Sequence, residues 1–585
     1  MAGNAVAEAD RQKTSDERIA RCLAEGKSFI LDAGAGAGKT YSLVHALKAL
    51  CEGPKASQLR RNGQQIACIT YTNVAKDQVV ERIGGNPLVR VSTIHDFLWS
   101  TLESHQDALR QSLLAFNAAL PLTSSRRVDP TELQARVKGQ LVVRYSDRGS
   151  KFLEGRIFHD DLLSVARASY ARYDKLSQIV ASRYPYIFVD EYQDTSAAVI
   201  EILLARMLPL AAGRLVLGFF GDKLQNIYHT GEHKGVGELP TDLAQGLEVI
   251  VKKENRRCSL RVIDVLNKIR TDIDQVPSNK NAQGDVAYIH VAAGDPEAGL
   301  QRARDLLANS LNWPLAAPQA RELHLTHRLI ARKAGFVDLL RIFTERGAFA
   351  KEALTDGTDR RIAFFLEKVE PMARAWERGA IGMTLGRLHE AGHRLASRAA
   401  KSKVRAALDD LVAQRATGTV RDVLEVIRER NLFPLSDDLA QRLFIAEAVF
   451  TADMDQLAQE REEKEAALYA ALFALPYAQV TAFCSFFISN TPYATKHGVK
   501  GDEFETVLVV LDDSGAAWNL YSFEKYLSGE DEKGNPGRAK RSRNLFYVCC
   551  SRAKRNLAVI DFGGASRAKK AHVESVFGMP RCFEV

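Results

Sequence analysis

The residues AGAGAGKT at positions 33–40 decide the fold, because a glycine-rich turn that ends in lysine and threonine needs a particular chain geometry on either side. An apolar run at 28–31 precedes this turn and a helix-compatible segment follows it, so the order is strand, loop, helix. Glycines let backbone N–H groups turn inward around phosphate oxygens, and the helix N-terminus adds favourable partial charge. The sequence therefore predicts a nucleoside-triphosphate site formed by Gly34, Gly36, Gly38, Lys39 and Thr40.

The polar residues of this turn have separate predicted roles. Lys39 supplies a mobile cation for the β- and γ-phosphates, and Thr40 supplies a hydroxyl ligand for Mg²⁺. The strict form of the motif begins with glycine, whereas this chain has Ala33. Taken alone, the stretch is also compatible with a Gly/Ala-rich turn that contains a lysine by chance.

A second element, YIFVDE at 186–191, favours the phosphate site over that alternative. It is a hydrophobic strand that ends in two carboxylates. Asp190 is suited to hold Mg²⁺ through water, and Glu191 to orient and deprotonate an attacking water molecule. Paired acids at a strand end are also common surface features, but after a phosphate-binding loop they indicate a hydrolase.

Further short apolar runs bounded by turn residues predict the rest of the sheets. They are compatible with buried parallel strands, and helix-compatible stretches separate them. The runs form one group before about residue 251 and another after about residue 284. We therefore predict an α/β fold of parallel sheets flanked by helices, with strands at 28–31, 66–70, 187–189, 215–220, 506–511 and 557–560.

Two long stretches lack strand signals and predict helical insertions, at 98–182 and at about 350–481. The second is rich in Ala, Leu, Arg and Glu and has charges at helical (i, i+4) spacing. Its charge run is typical of a solvated helix face, and a contact with nucleic acid or protein is the alternative.

Composition sets wide limits. A chain of 585 residues is expected to form two or more domains, and a net charge of +8 permits a polyanionic partner without establishing one. The eight cysteines form no C-x-x-C pair, so they predict reduced thiols and neither disulfides nor a zinc site. The sequence has no signal-peptide pattern and no apolar run near the roughly 18 residues of a membrane span, which predicts a cytoplasmic or nucleoid protein without membrane contact.

Other motifs follow the phosphate loop in a fixed order. The acidic element continues as DEYQD at 190–194, and the others are TYTN at 70–73, STIHDF at 92–97, GDKLQNIY at 221–228, NRR at 255–257, TKHGVKGDEF at 495–504 and LFYVCCSRAK at 545–554. Together they resemble the motifs of the UvrD/Rep-like superfamily 1A helicases, whose phosphate loop also begins with alanine. The resemblance implies an ATP- and Mg²⁺-dependent motor with three-prime to five-prime polarity on single-stranded or tailed duplex DNA.

The resemblance also assigns roles to individual residues. It implies that Gln225, Arg257 and Arg552 sense the γ-phosphate beside the catalytic Lys39 and Glu191, with the arginines approaching from the second domain. The alternative for Arg552 is a surface arginine in a basic helix. Glu503 is implied to touch the ribose, and the residues implied to lie near DNA are Tyr71, Asn73, Thr93, His95, Tyr228 and His497. Any one of these aromatic or histidine side chains is alternatively a packed core residue.

The family architecture implies two RecA-like domains that close around ATP. The first consists of residues 1–97 and 183–257, with the helical insertion 98–182 between its parts. The second consists of residues 258–349 and 482–585, with the helical insertion 350–481 between its parts.

The chain departs from the family at the nucleobase. Arg18 stands where the family has an adenine-reading glutamine, and Arg256 stands where an adenine-stacking tyrosine is usual. A guanidinium group can stack on a purine but cannot reproduce the paired donor and acceptor of an amide. The departures predict relaxed use of nucleoside triphosphates. The motif at 221–228 continues as HTG at 229–231 without the usual Trp-Arg, and the few dozen residues after Lys554 are too few for a fused nuclease domain.

Two other functions are alternatives to a helicase. The segment LTHRLIA at 325–331 resembles the helicase component of Gabija-type anti-phage systems, which implies an ATPase that senses DNA or nucleotides and regulates a partner nuclease of the OLD family. A passive single-strand binder with a vestigial ATPase is disfavoured, because every residue assigned to catalysis is present.

Overall fold

The computed structural model describes residues 14–122, 124, 126–146, 150–211, 213–227, 234–292, 294–316, 318–325, 331, 332, 334–355, 357, 359–435, 437–445, 447–450, 456–487, 493, 494, 502–513 and 521–585. The chain divides into two compact units. The first comprises Met1–Asp285 and Glu530–Arg555, and the second comprises Val286–Gly529 and Asn556–Val585.

Helices and strands are interspersed up to residue 285. The helices are α1 (Ser15–Glu25), α2 (Lys39–Glu52), α3 (Pro54–Arg61), α4 (Asn73–Arg82), α5 (Ile94–Leu102), α6 (Gln106–Ala119), α7 (Pro130–Lys138), α8 (His159–Arg172), α9 (Asp174–Arg183), α10 (Ala197–Ile200), α11 (Leu208–Leu210) and α12 (Leu260–Ile269). The strands are β1 (Phe29–Ala33), β2 (Ile66–Thr70), β3 (Val89–Thr93), β4 (Arg144–Tyr145), β5 (Arg156–Ile157), β6 (Tyr186–Asp190), β7 (Val216–Gly221), β8 (Glu248–Lys252), β9 (Glu254–Asn255) and β10 (Val276–Pro277).

The remaining helices are α13 (Pro296–Asp305), α14 (Val337–Glu345), α15 (Ala348–Thr355), α16 (Arg360–Phe364), α17 (Glu370–Glu377), α18 (Ile381–Glu390), α19 (Arg398–Thr417), α20 (Val420–Glu429), α21 (Asp437–Phe444), α22 (Gln456–Ala474), α23 (Tyr477–Phe487), α24 (Phe523–Leu527), α25 (Glu530–Gly534), α26 (Pro536–Cys550) and α27 (Arg567–Phe577). The strands are β11 (Asp285–His290), β12 (Ala320–His324), β13 (Tyr493–Ala494), β14 (Phe504–Leu511), β15 (Ala553–Asp561) and β16 (Cys582–Glu584). Helices α25 and α26 belong to the first unit.

A six-stranded parallel sheet forms the centre of the first unit, in the order β3-β2-β6-β7-β1-β8. Both faces of its central strands are buried. Ile30 packs into one hydrophobic cluster, while Phe29 and Leu31 pack into the cluster on the other face. Successive side chains of a strand point to opposite faces, so burial on both faces requires the continuous apolar runs seen in the sequence.

The predicted insertion 98–182 is mainly helical and contains the short parallel pair β4 and β5. Its helices pack on the sheet through the same cluster that contains Ile30. The start of α8 is fixed by Asp161, whose buried carboxylate accepts hydrogen bonds from the Phe158 N–H at 3.0 Å and from Arg126 at 2.8 Å.

A second six-stranded sheet has the order β13-β12-β14-β15-β11-β16. Strands β12 and β14 pair in parallel, as do β11 and β16. The described residues between 350 and 481 form helices and contain no strand. They enclose a separate core of aliphatic and aromatic side chains around Phe365, Leu411 and Leu472.

The prediction of an α/β fold with RecA-like parallel sheets is confirmed. Each of the six apolar runs lies within a strand or overlaps one by most of its length. Strands β3 and β8, at the two edges of the first sheet, were not predicted; both contain polar or exposed residues that interrupt the apolar pattern. Within the described residues, no helix is long and apolar enough to cross a membrane.

Candidate active site

The phosphate loop connects the carboxyl end of β1 to the first turn of α2. Gly36 has a φ of 74° and Gly38 a φ of 78°, in the left-handed region that glycine adopts at little cost. A Cβ atom on Gly36 would also lie 2.5 Å from the Asn255 Oδ1 atom. The glycines are therefore required by the backbone conformation and by close packing against the loop.

The two predicted acids lie at the carboxyl end of β6, separated from β1 in the sheet only by β7. The Asp190 carboxylate accepts a hydrogen bond from the Glu191 N–H at 3.0 Å. The Glu191 carboxylate lies 3.5 Å from the Lys39 Nζ atom and accepts a hydrogen bond from Gln193. Because the carboxyl ends of parallel strands meet at one edge, the proposed base and the lysine predicted to bind phosphate lie side by side.

Three further predicted residues join this group. The Gln225 side chain is buried, and its Oε1 atom accepts a hydrogen bond from Arg552 Nη2 at 3.3 Å. Arg257 Nη1 donates to the Ser551 carbonyl oxygen at 3.4 Å. Burial, reinforced by the positive charge of Arg257, lowers the pKa of Arg552 to about 10, while Glu191 acts in the opposite direction. The site therefore holds two guanidinium groups close together, an arrangement that a phosphate anion would stabilise.

Both arginines belong to the first unit, whereas the family resemblance implied that they approach from the second domain. The physical reason is the packing of α26 on the segment that follows β7. Asn544 donates to the Asn226 carbonyl oxygen at 3.2 Å, and the Tyr547 hydroxyl accepts the Ala35 N–H at 3.0 Å.

The residues predicted to contact the nucleobase are both engaged elsewhere in the protein. Arg18 donates to the Glu248 carboxylate and to the Val249 carbonyl oxygen, each at 3.0 Å. Arg256 is exposed and pairs with Glu254 at 2.8 Å. Neither side chain presents the paired donor and acceptor of an amide, so relaxed nucleotide use stays a prediction.

Among the residues predicted to lie near DNA, three have described side chains. Tyr71 is half-buried against the core of the first unit, and Thr93 caps α5 by accepting the Asp96 N–H at 3.3 Å. His95 is half-buried and lies parallel to the Tyr145 ring with centroids 6.4 Å apart. These positions combine a structural role with partial exposure.

The other predicted residues are less completely placed. Thr40 is half-buried in the first turn of α2, and Asn73 begins α4. Glu503 is exposed immediately before β14 in the second unit. Tyr228 and His497 lie outside the described residues, as does most of the segment 325–331.

The sequence patterns did not identify the side chains that hold the phosphate loop in place through hydrogen bonds to its backbone. The Ala35 carbonyl oxygen accepts hydrogen bonds from Asn255 at 3.0 Å and from Gln275 at 2.9 Å. Asn255 and Tyr547 occur within recognised motifs, which is a signal that they matter, but the motifs did not indicate this role. Gln275 carries no sequence signal at all.

The left-handed glycines of the loop, the adjacent acid pair and the converging guanidinium groups together define a P-loop nucleotide hydrolase on a RecA-like sheet. Comparison with known proteins narrows this class. The profile of a family described as an AAA domain matches residues 16–231.

Three relatives are informative. The chain is 25% identical to the Gabija protein GajB of Bacillus cereus, over 94% of this chain and 95% of that protein. It is 24% identical to the ATP-dependent DNA helicase PcrA of Bacillus subtilis, over 46% of this chain and 41% of that protein. It is also 24% identical to a probable DNA helicase II homolog of Rickettsia felis, over 46% of this chain and 45% of that protein. Fold, site and relatives agree on a P-loop ATPase that is similar to DNA helicases and to the Gabija protein.

Proposed function

We propose that this ATPase is a DNA translocase and helicase that moves on single-stranded DNA with three-prime to five-prime polarity. The observation that carries the proposal is the grouping of Lys39, Glu191, Gln225 and Arg552 at one edge of the first sheet. This arrangement can bind a triphosphate, activate water and respond to loss of the γ-phosphate.

Binding begins at the phosphate loop. Its backbone N–H groups and the N-terminus of α2 favour phosphate oxygens, and Lys39 adds a full positive charge. Lys39 pairs with Glu191. A γ-phosphate would compete for Lys39, so binding releases the Glu191 carboxylate to accept a proton from water.

The residues fit a magnesium ion. Thr40 and Asp190 would hold it, because a hydroxyl in the first turn of α2 and a buried carboxylate at the end of β6 are oxygen ligands of the kind that Mg²⁺ prefers. The ion would neutralise charge on the β- and γ-phosphates. Arg257 and Arg552 then stabilise the charge that develops in the transition state, an effect worth about 10³ to 10⁵ in turnover for arginine fingers.

The proposed DNA contact involves Tyr71, Asn73, Thr93, His95, Tyr228 and His497. Aromatic rings stack on any base, and such contacts are worth about 1 to 3 kcal/mol per base without sequence preference. The excess of basic residues, +8 overall, favours the phosphate backbone.

A second candidate is supported by the extent of similarity. The match to the Gabija protein covers nearly all of both chains, whereas the match to PcrA covers less than half of each. The second candidate is therefore an ATPase that regulates a partner nuclease of the OLD family in anti-phage defence. It would use the same catalytic residues but would unwind little DNA alone.

The test measures ATP hydrolysis with and without single-stranded DNA for the wild type, Lys39→Ala, Glu191→Gln and Arg552→Ala. Lys48→Ala is the matched control, because Lys48 is an exposed lysine on the same helix as Lys39. We expect DNA stimulation that the three site variants lose and the control keeps. Hydrolysis that no DNA stimulates would contradict the translocase.

Strand displacement separates the two candidates. The wild type unwinds a duplex with a three-prime tail but not one with a five-prime tail if the first proposal holds. Hydrolysis without unwinding, and unwinding or cleavage only after addition of an OLD-family nuclease, supports the second.

A further inference from the structure

Asp222, which follows β7, is the hub of a buried hydrogen-bond network beside the phosphate loop. Its side chain is fully buried. The Oδ1 atom accepts hydrogen bonds from Arg270 at 2.7 Å and from the Leu224 N–H at 3.1 Å. The Oδ2 atom accepts one from Gln225 Nε2 at 2.8 Å and one from the Tyr547 hydroxyl at 3.4 Å. All its acceptor directions are therefore used within the protein.

This hub is connected to the proposed base and to the phosphate loop. The Asp222 N–H donates to Gln193 Oε1 at 3.1 Å, and the amide nitrogen of Gln193 donates to the Glu191 carboxylate. Tyr547 connects the hub to the N–H of Ala35 in the phosphate loop. A shift of the Asp222 carboxylate would therefore reach the loop through Tyr547, and a shift of the Asp222 backbone would reach the proposed base through Gln193.

Arg270, just after α12, is the only guanidinium group among the described contacts of Asp222. Its side chain has no exposed surface, and it also reaches Asp32 at 3.4 Å and Asp272 at 2.8 Å. Its planar fork can hold several oxygens in fixed positions at once, which a lysine cannot do. Such a buried ion cluster contributes little net stability, since replacement of buried ion pairs by apolar residues is often neutral or stabilising.

The consequence at Gln225 is a fixed amide orientation. Its nitrogen faces Asp222 and its oxygen faces Arg552. If the Asp222 carboxylate turned away, the amide could rotate and place a donor against the guanidinium group of Arg552, which is also only a donor.

We propose that Arg270 is a positioning residue for hydrolysis: by fixing the Asp222 carboxylate it sets the orientation of Gln225 toward Arg552 and the γ-phosphate. This inference rests on the proposed ATPase function and adds a residue that lies outside the recognised motifs.

The test compares Arg270→Lys with the wild type. Lysine keeps the positive charge that three carboxylates need but cannot hold the same geometry. We expect kcat for ATP to fall about 10- to 100-fold with KM changed less than about threefold, because misplacement of a catalytic group affects the transition state more than binding. Affinity for ADP with aluminium fluoride, a mimic of the transition state, should fall by the same factor as kcat, while affinity for ADP alone stays within about twofold.

Arg361→Lys is the matched control. Arg361 is a buried arginine of the second unit that pairs with Asp359 and Glu465, each at 2.6 Å. We expect a similar change in thermal stability from both variants and a loss of kcat from Arg270→Lys alone. Equal kcat values, or a parallel loss of ADP affinity and kcat, would overturn the positioning role.

Coupling gives an independent readout. Asp222→Asn should lower kcat alone, and the double variant with Arg270→Lys should lose no more than the larger single loss, because the two residues act as a unit. Multiplicative losses would contradict the proposal. If the wild type itself fails to hydrolyse ATP, the proposed function fails; if it hydrolyses ATP and Arg270→Lys matches it, only this inference fails.

Discussion

At the scale of single residues, Glu191 has an unusual backbone conformation. It has a φ of 50°, which is uncommon for a residue other than glycine and costs conformational energy. The conformation turns the chain sharply after β6 and keeps the carboxylate next to Lys39.

Replacement of this acid separates binding from chemistry. Glu191→Gln should lower kcat about 100- to 1000-fold, because the amide cannot accept the proton of the attacking water. Nucleotide affinity should hold or rise, since Lys39 loses a competing partner. Turnover and equilibrium binding of a fluorescent nucleotide check this. Glu52→Gln, at the exposed end of α2, should behave as wild type; an equal loss in both variants would contradict the role.

Asp32 predicts a dependence of stability on pH. Burial, followed by the nearby charge of Asp222, raises the pKa of Asp32 to about 6, and Arg270 only partly offsets this. Between about pH 4 and 6 the folded state therefore binds more protons than the unfolded state, so this group makes stability fall as pH rises. Asp32→Asn should raise the free energy of unfolding by about 1 to 3 kcal/mol at neutral pH and by nothing near about pH 4.

Urea unfolding at several pH values measures this difference. Asp77→Asn, an exposed position on α4, serves as the control and should give a constant difference near zero. A gain for Asp32→Asn that does not change with pH would show that charge burial is not its cause.

At the scale of elements, the helical part of the second unit depends on one buried acid. Glu370 begins α17 and has no exposed side-chain surface. It accepts hydrogen bonds from Arg415 on α19 at 2.7 and 3.0 Å and from Thr481 on α23 at 3.3 Å. One carboxylate therefore joins three helices that are distant in sequence.

Glu370→Gln should destabilise this region by about 3 to 5 kcal/mol, because it leaves a buried guanidinium group without its full counter-charge. Glu377→Gln, which removes a half-exposed partner of the same Arg415, should cost less than about 1 kcal/mol. Hydrogen exchange of the backbone amides in α17, α19 and α23 distinguishes the effects of the two substitutions. Equal protection in both variants would refute the role of the buried acid.

At the scale of the whole molecule, the proposed function and the net charge of +8 together predict that hydrolysis stimulated by DNA responds to salt. The half-saturating concentration of single-stranded DNA should rise with salt on a logarithmic plot, with a slope of about 0.7 per phosphate contact. KM for ATP should change much less, because Lys39 and Arg552 are mostly buried and salt screens them weakly. Hydrolysis measured over a salt series checks this; a flat DNA response would contradict a phosphate-dominated interface.

Much of the fold and part of the site were predictable because their signals are local. The apolar run at 66–70 coincides with β2, and the left-handed glycines of the phosphate loop lie at predicted positions. The edge strand β8 was not predicted, although its residues Val249, Ile250 and Val251 are β-branched, as strand residues often are. Its place at the edge of the sheet, beside β1, is decided by pairing that the local pattern does not specify.

The sequence by itself determined the parallel sheets and the positions of the phosphate loop and the acid pair, since glycine conformation and strand periodicity are properties of neighbouring residues. Only the tertiary structure decided which side chains hold these residues in place. Ala35 and Tyr547 are separated by 512 residues and yet share a hydrogen bond. Arg270 belongs to none of the recognised motifs but holds Asp222 at 2.7 Å. The packing of helices on a sheet decides which residues become partners of this kind. A sequence pattern does not contain the distances in space between residues that are far apart in the chain.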